Sequence, residues 1–343
     1  MLDLETFSLL WIVLIFIACA AVIGLAGWKL AKYADLLADR TGIGEAAAGA
    51  LFLGAGTSLP GSVASVTAAA SGFPDLAISN AIGGLAVQTA FLGIADLCYR
   101  RANLEHAASS SGNLMSAALL VVMLSIPLVS RQLPEVTWFG IHPATLLLPM
   151  TYLAGLHLLQ RTHREPMWTP RQTDETRQDV AAEASGSLSL GGLWLRFGVC
   201  ALAVAVAGYL ISSASAELTV RTGLSQNAVG GVFLAIATSL PELITSVAAV
   251  KRGALTLAVS DIIGVNSFEV IFLAASDVVY REGSIYHEIT GHHVLLITVC
   301  MLMTGVLLMG MISRQRQGPA GIGFEGAVIL ALYGGMAAYL LAS

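Results

Sequence analysis

Residues 238–277 read TSLPELITSVAAVKRGALTLAVSDIIGVNSFEVIFLAASD, and the fold turns on this stretch. It is largely apolar, yet it carries Glu242 directly after Pro241 and Glu269 twenty-seven residues later. A charged side chain near the centre of a bilayer costs roughly 2.5–3.5 kcal/mol on insertion scales, so acids at such depth line a cavity filled by water or ions. Pro241 lacks an N–H and its ring clashes with the preceding turn, so a helix through this segment is expected to break just before Glu242. The break frees backbone carbonyls and sets the hydroxyls of Thr238 and Ser239 beside a carboxylate, which are the parts of a cation site.

Sliding the chain against itself by 181 residues lays 57–96, TSLPGSVASVTAAASGFPDLAISNAIGGLAVQTAFLGIAD, over 238–277 without a gap, and 16 of the 40 positions are identical. Identity that high at one offset marks an internal repeat. Both copies hold TSLP, Ser65/Ser246, Gly72/Gly253, Gly83/Gly264 and Asp96/Asp277. They differ where charge is concerned: Gly61 matches Glu242, and Gln88 matches Glu269.

The whole chain agrees with a membrane setting. Its 343 residues are 56% hydrophobic and 11% charged, far below the charged share of about 25% usual for a soluble domain. Apolar runs of about twenty residues predict ten spans, near 8–27, 43–70, 76–97, 113–130, 141–160, 191–213, 226–250, 256–279, 292–312 and 322–342. The first run follows an acidic start, MLDLE, and is long enough to cross, so it reads as a span and not as a cleaved signal. Cys19, Cys98, Cys200 and Cys300 are widely spaced with no CxxC, which predicts packed thiols without a disulfide framework. The lipid bilayer is the partner that composition implies. A net charge of -5 gives no ground for a nucleic-acid partner, and the oligomeric state is not legible.

The one long polar stretch divides the chain into a first half at 1–160, a linker at 161–190 and a second half at 191–343. The connections on the linker's side hold thirteen bases, namely Lys29, Lys32, Arg40, Arg100, Arg101, Arg161, Arg164, Arg171, Arg177, Lys251, Arg252, Arg314 and Arg316. The other side holds Arg131, Arg221 and Arg281. By the positive-inside rule the linker is cytoplasmic and both termini lie outside. Five spans per half is odd, so the second half enters the membrane from the opposite side. The expected fold is an all-α polytopic membrane protein of ten transmembrane helices arranged as two inverted five-helix repeats.

Motifs ATSLPEL and SDIIGVNSFE in the second half, with GTSLPGS and SNAIGGLAVQ in the first, resemble the alpha repeats of the sodium/calcium exchanger family within the calcium/cation antiporter superfamily. The resemblance implies a transporter and not an enzyme: Ca²⁺ exchanged for Na⁺ by alternating access, with these transported ions and no bound cofactor. It implies a midplane site built by spans two, three, seven and eight, with movement of spans one and six across it. The short linker and compact loops point to a bacterial source, and so to an inner membrane. Carried over by position, the main glutamates fall at Gly61 and Glu242, and the hydroxyl and carbonyl donors at Thr57, Ser58, Thr238 and Ser239. The polar or acidic partners fall at Gln88 and Glu269, and the small hydroxyl positions at Gly84 and Val265. This chain departs from the pattern, since Gly61 has no carboxylate and Gly84 and Val265 have no hydroxyl. Calcium takes about six to eight oxygens, and Glu242 with Glu269 supplies two charges toward it. The expected ion ligands are thus Glu242, Glu269, Thr57, Ser58, Thr238, Ser239 and Gln88.

Two other functions fit the same residues. A proton-coupled cation exchanger would use buried glutamates as proton carriers, and a non-transporting membrane subunit would bind a cation as a sensor. Smaller features have plainer readings. Hydroxyls before the proline bond back to the preceding turn in many membrane helices. Asn80 and Asp261 suit helix packing, Asp96 and Asp277 interfacial span ends, and Gly83, Gly84 and Gly264 close helix approach. The run HEITGHH, 287–293, lacks the i, i+4 histidine spacing of a zinc helix and is expected in a solvated external loop. A linker under thirty residues is too short for a regulatory domain.

Overall fold

A computed structural model describes residues 2, 4–41, 55–98, 109–138, 140–164, 189–252, 255–313 and 323–343. Regular structure among them is helical, apart from one isolated bridge between Trp138 and Ile141. We number the helices by passage: α1 (Leu9–Thr41), α2 (Ala55–Thr57 and Leu59–Ala70), α3 (Pro74–Cys98), α4 (Ser111–Ser130) and α5 (Pro143–Arg164). The second half holds α6 (Leu190–Thr222), α7 (Gln226–Thr238 and Leu240–Arg252), α8 (Leu255–Glu269 and Ile271–Val279), α9 (Gly291–Ser313) and α10 (Phe324–Ala342). Seven of these are long and apolar enough to cross a membrane, and the bent α7 makes eight. The start of span two at 42–54 and the linker at 165–188 lie outside the described residues, as do Arg100, Arg101, Arg171, Arg177, Arg314 and Arg316.

Local chemistry explains the breaks. Pro60 and Pro241 stand at the second position of the helices that open at Leu59 and Leu240, where a missing N–H costs nothing. Each TSLP therefore ends one short helix and starts another. In α7 the two pieces meet at 47° around Ser239. Two irregularities carried no sequence signal: a π-helical turn at Val229–Leu234 in α7, and a break at Val270 directly after Glu269 in α8. Turns with a wider single hydrogen-bonded ring sit at functional helices more often than elsewhere.

α3 and α8 form the centre. Nearly all of α3 is buried, 94% of its best window, against 22% for α1. Small residues let it sit there: a Cβ on Gly83 would meet the Gly231 carbonyl oxygen of α7 at 2.5 Å, so the two backbones touch. α1 and α6 pack along each other on the outside and turn Leu10, Trp11, Ile17, Leu195, Val199 and Leu202 outward. Their inner faces rest on the breaks. A Cβ on Gly27 of α1 would overlap the Pro241 ring, and one on Gly208 of α6 would lie 2.9 Å from the Pro60 carbonyl oxygen. Those two glycines are themselves 181 residues apart.

The two halves interleave. α3 packs on α9 and α10, and α8 packs on α4 and α5. Asp96 and Asp277 hold these contacts, which corrects their reading as interfacial acids: both are fully buried. The Asp277 carboxylate accepts from His142 N (2.9 Å), Thr145 Oγ1 (2.5 Å), Ser284 Oγ (3.1 Å) and Ile285 N (3.0 Å), and so caps the start of α5. Asp96 accepts from Gly323 N at 3.1 Å and caps the start of α10. His142 and Gly323 again differ by 181, so the inverted repeat is written in the hydrogen bonds. A carboxylate at a helix N-terminus answers exposed N–H groups and the positive end of the helix dipole, which explains why these acids tolerate burial.

The run HEITGHH also differs from expectation. It is only partly solvated: Gly291 is exposed and His287, Glu288, Thr290 and His292 are half-buried, but Ile289 is buried, His287 Nε2 bonds the Leu133 carbonyl (2.9 Å), and His293 lies fully buried in the first turn of α9. His293 Nε2 meets Ser79 Oγ at 3.0 Å and its Nδ1 accepts from Thr290 N at 3.0 Å, so it ties α9 to α3. Cys19, Cys200 and Cys300 are free thiols, as composition suggested.

Candidate cation site

All seven residues picked from the sequence come to one buried region where α2, α3, α7 and α8 meet. Thr57, Ser58, Gln88, Thr238, Ser239, Glu242 and Glu269 are each buried, with Glu242 1% and Glu269 4% exposed. The proline breaks put Thr57 and Ser58 at one helix end and Thr238 and Ser239 at the other.

Glu269 and Gln88 occupy equivalent positions of the two repeats and face one another across the axis relating them. Gln88 Nε2 donates to Glu269 Oε1 at 2.7 Å and lies 3.2 Å from Ser239 Oγ. The Ser58 hydroxyl faces the same carboxylate. The glycine at 84 makes room for it, because a Cβ there would come within 3.0 Å of Glu269 Oε2 and 3.6 Å of Ser239 Oγ. Glu242 lies near enough to Glu269 and Asp261 for their charges to act on it, and the Thr57 hydroxyl reaches toward it. At the matching place in the first repeat, a Cβ on Gly61 would meet Phe272 Cε2 at 3.5 Å and Thr238 Oγ1 at 3.8 Å. That side of the site is walled by a ring where the other side carries an acid.

The polar atoms are of one kind. Glu242 Oε1 and Oε2, Ser58 Oγ, Gln88 Oε1, Asn266 Oδ1 and Ser246 Oγ are all buried oxygens with no hydrogen-bond partner among the described residues. Buried acceptors are normally paired, and a cluster whose carboxylates face only the hydroxyls of Thr57 and Ser58 and the Gln88 amide calls for something positive. A cation does so by direct coordination.

One predicted hydroxyl is already engaged as a donor, which leaves its oxygen lone pairs for a cation. The Thr238 hydroxyl points back to the Leu234 (3.0 Å) and Ala235 (3.3 Å) carbonyls and to Asn80 Oδ1 (3.3 Å), so its hydrogen serves the preceding turn and a neighbouring amide. Asn80 is a packing residue, donating to Ser65 Oγ (2.8 Å) and the Gly61 carbonyl (3.2 Å). Its counterpart Asp261 has no N–H to give, which accounts for Ser246 lacking the donor that Ser65 has.

Sequence reading missed Asn266 and Thr89. Asn266 Nδ2 donates to Thr89 Oγ1 at 2.9 Å and links α8 to α3, leaving its Oδ1 unpartnered beside the site. The signal was present, since Asn266 precedes Glu269 by three residues and so shares its helix face.

Inverted halves, two proline-broken helices and buried carboxylates at their meeting point define a secondary transporter of cations. The chain belongs to the family described as Sodium/calcium exchanger protein, which it matches over residues 11–154 and 192–342, and it is an integral membrane cation antiporter. It is 28% identical over 260 residues to Inner membrane protein YrbG of Escherichia coli (strain K12), covering 75% of this chain and 76% of that protein. Its fold is similar to that of the sodium-calcium exchanger NCX_Mj soaked with 10 mM Na⁺ and 10 mM Sr²⁺, with TM-score 0.62, 17% identity, and 98% and 99% of the two chains covered. Native YfkE superposes with TM-score 0.63 at 14% identity, over 99% of this chain and 95% of that one.

Proposed function

We propose that this protein exchanges Ca²⁺ for Na⁺ across a bacterial inner membrane, binding each in turn at Glu242 and Glu269 and opening alternately to either side. Ser58, Ser239, Gln88, Thr57, Thr238 and Asn266 add neutral oxygens. The observation that carries this reading is the set of buried oxygens, Glu242's pair foremost, that no base among the described residues faces. The likeness to sodium-calcium exchangers supports the choice of ions. In this reading both termini are outside, the linker at 161–190 is cytoplasmic, and the halves at 1–160 and 191–343 carry the two sides of the site. α1 and α6 move across it, because they are the helices whose inner faces ride on Pro241 and Pro60.

A second reading replaces Na⁺ by protons. Gly61 removes a carboxylate, and Gly84 and Val265 remove hydroxyls, from the ligands a sodium ion would use, while two acids within electrostatic reach of one another form a natural proton-accepting pair. Radiolabelled Ca²⁺ uptake into proteoliposomes, driven by an outward Na⁺ gradient and separately by an outward proton gradient, distinguishes the two. Loss of driven uptake in Glu242→Gln supports either exchanger. Uptake by neither gradient removes calcium antiport and moves the search to other cations or to a cation-binding subunit that does not transport.

A further inference from the structure

We propose that the protein carries a second divalent-cation site, apart from the transport site, where Asp96 at the end of α3 and Glu325 at the start of α10 hold a Ca²⁺ ion that clamps the two helices together. This inference stands on other residues than the antiport reading and does not need it.

Glu325 carries the argument. It lies in the first turn of α10, is 0% exposed, and neither of its carboxylate oxygens has a hydrogen-bond partner. Among the described residues no base is paired with it. Its side chain is packed tightly in place: a Cβ on Gly310, near the end of α9, would come 2.7 Å from its Cγ, and one on Gly323 would come 2.5 Å from its Oε1. Gly323 is also the residue whose N–H donates to Asp96 at 3.1 Å. Two fully buried acids are therefore seated on one residue. The positive end of α10 is met by Asp96, and no described donor meets Glu325.

The other half of the repeat shows what a cap needs when it only holds helices together. There Asp277 caps α5 with help from the Thr145 hydroxyl, and the residue matching Glu325 is Ala144. At the Asp96 end Thr145 is matched by Gly326, which has no hydroxyl. A donor is missing and an acid is added at the same cap, and capping calls for neither change. The helix ends deepen the imbalance. α3 ends two residues after Asp96 and α9 three residues after Gly310, and a helix C-terminus carries roughly half a negative charge.

A buried carboxylate without a partner costs several kcal/mol, and a coordinated cation removes that cost. Carboxylate oxygens select hard cations, and a pocket that buries both acids favours Ca²⁺, because Mg²⁺ gives up its water reluctantly. Asp96 lies eight residues beyond Gln88 in α3, about 12 Å along the axis at roughly 1.5 Å per residue, so the ion is not the transported one. It ties α3, the central helix that carries Gln88, to α10 beside the end of α9.

The test is equilibrium binding of radiolabelled Ca²⁺ to the purified protein in detergent, with Glu325→Gln placed in the wild type and in Glu242→Gln, whose transport site is disabled. Glu242→Gln is expected to keep one tightly held Ca²⁺ per chain, and the double variant to bind it at least tenfold more weakly. Binding that Glu325→Gln leaves unchanged in both backgrounds overturns the inference and makes Glu325 a packed, uncharged acid. A cation-free Glu325→Gln that melts far below wild type overturns it too, because the residue would then serve folding alone. Displacement by Mg²⁺ at equal concentration would overturn the choice of Ca²⁺. Failure of antiport shows separately, as absent uptake, and leaves this binding intact.

Discussion

Replacing Glu242 by glutamine keeps the shape of the side chain and removes one of the two negative charges in the site. Glu242 is 1% exposed and among the described residues has no base beside it, only the Thr57 hydroxyl, so its charge is answered by a bound cation or a proton. Removing one member of a buried charged set costs about 3–5 kcal/mol, which at about 1.36 kcal/mol per tenfold lowers Ca²⁺ affinity by about 150- to 5,000-fold. Stability should move the other way. In cation-free detergent solution the wild type carries a buried acid with no base beside it, which either stays ionised at a cost or takes up a proton, whereas the amide needs neither. Glu242→Gln is therefore expected to melt at least as high as wild type without cations, while losing the rise in melting temperature that Ca²⁺ at the transport site gives the wild type by mass action. Proteoliposome uptake and calcium-dependent melting curves check the two halves. Unchanged half-saturation for Ca²⁺, or a cation-free variant that melts well below wild type, would refute the reasoning and make Glu242 a structural acid.

Gly27→Val and Gly208→Val each drive a side chain into the Pro241 ring or the Pro60 carbonyl, so both should lower the yield of folded protein and slow transport at least tenfold per folded molecule; uptake at matched protein levels checks this. Asp277→Ala strands four donors, among them His142 N and Thr145 Oγ1. At about 1 kcal/mol or more per buried bond lost, it should lower the melting temperature by many degrees, with Asp277→Asn in between. His142, in the connection before α5, is held below the usual histidine range by burial, with Asp277 opposing, and its Nδ1 accepts from Ala144 N. The unfolded chain thus takes up a proton near pH 6.5 that the folded chain resists, so stability is full above that pH and falls as pH drops through it. Melting curves from pH 8 to 5 should flatten in His142→Asn. Gly83→Ala presses a methyl on the Gly231 backbone at 2.5 Å and should cut the yield of folded protein, while Gly334→Ala, with open space around it, should not.

Most of the architecture was legible in the chain itself, and for physical reasons. A bilayer demands about twenty apolar residues per helix, and an odd number of spans per half forces inversion, so composition and an offset of 181 were enough for the membrane class and the repeat. Proline chemistry placed the breaks at TSLP, and the cost of buried charge marked Glu242 and Glu269. Local rules alone were at work in each case.

What needed the tertiary structure was every relation between residues distant in the chain. The sequence could align Gln88 with Glu269, but only packing brought these two equivalents into one hydrogen bond across the axis of the repeat. Asp96 and Asp277 read as interfacial because hydropathy places span ends near water, whereas the fold turns each onto a helix start contributed by the opposite half. The histidine run read as a polar loop because composition reports polarity and not partners; Ser79 and Leu133, far off in sequence, supply those partners. Asn266 went unnoticed because an amide in an apolar helix gains its meaning from the Thr89 hydroxyl across the interface. Periodicity and composition are local and survive in the linear chain, whereas a donor for a buried oxygen is chosen by the packing of helices, which the linear chain does not record.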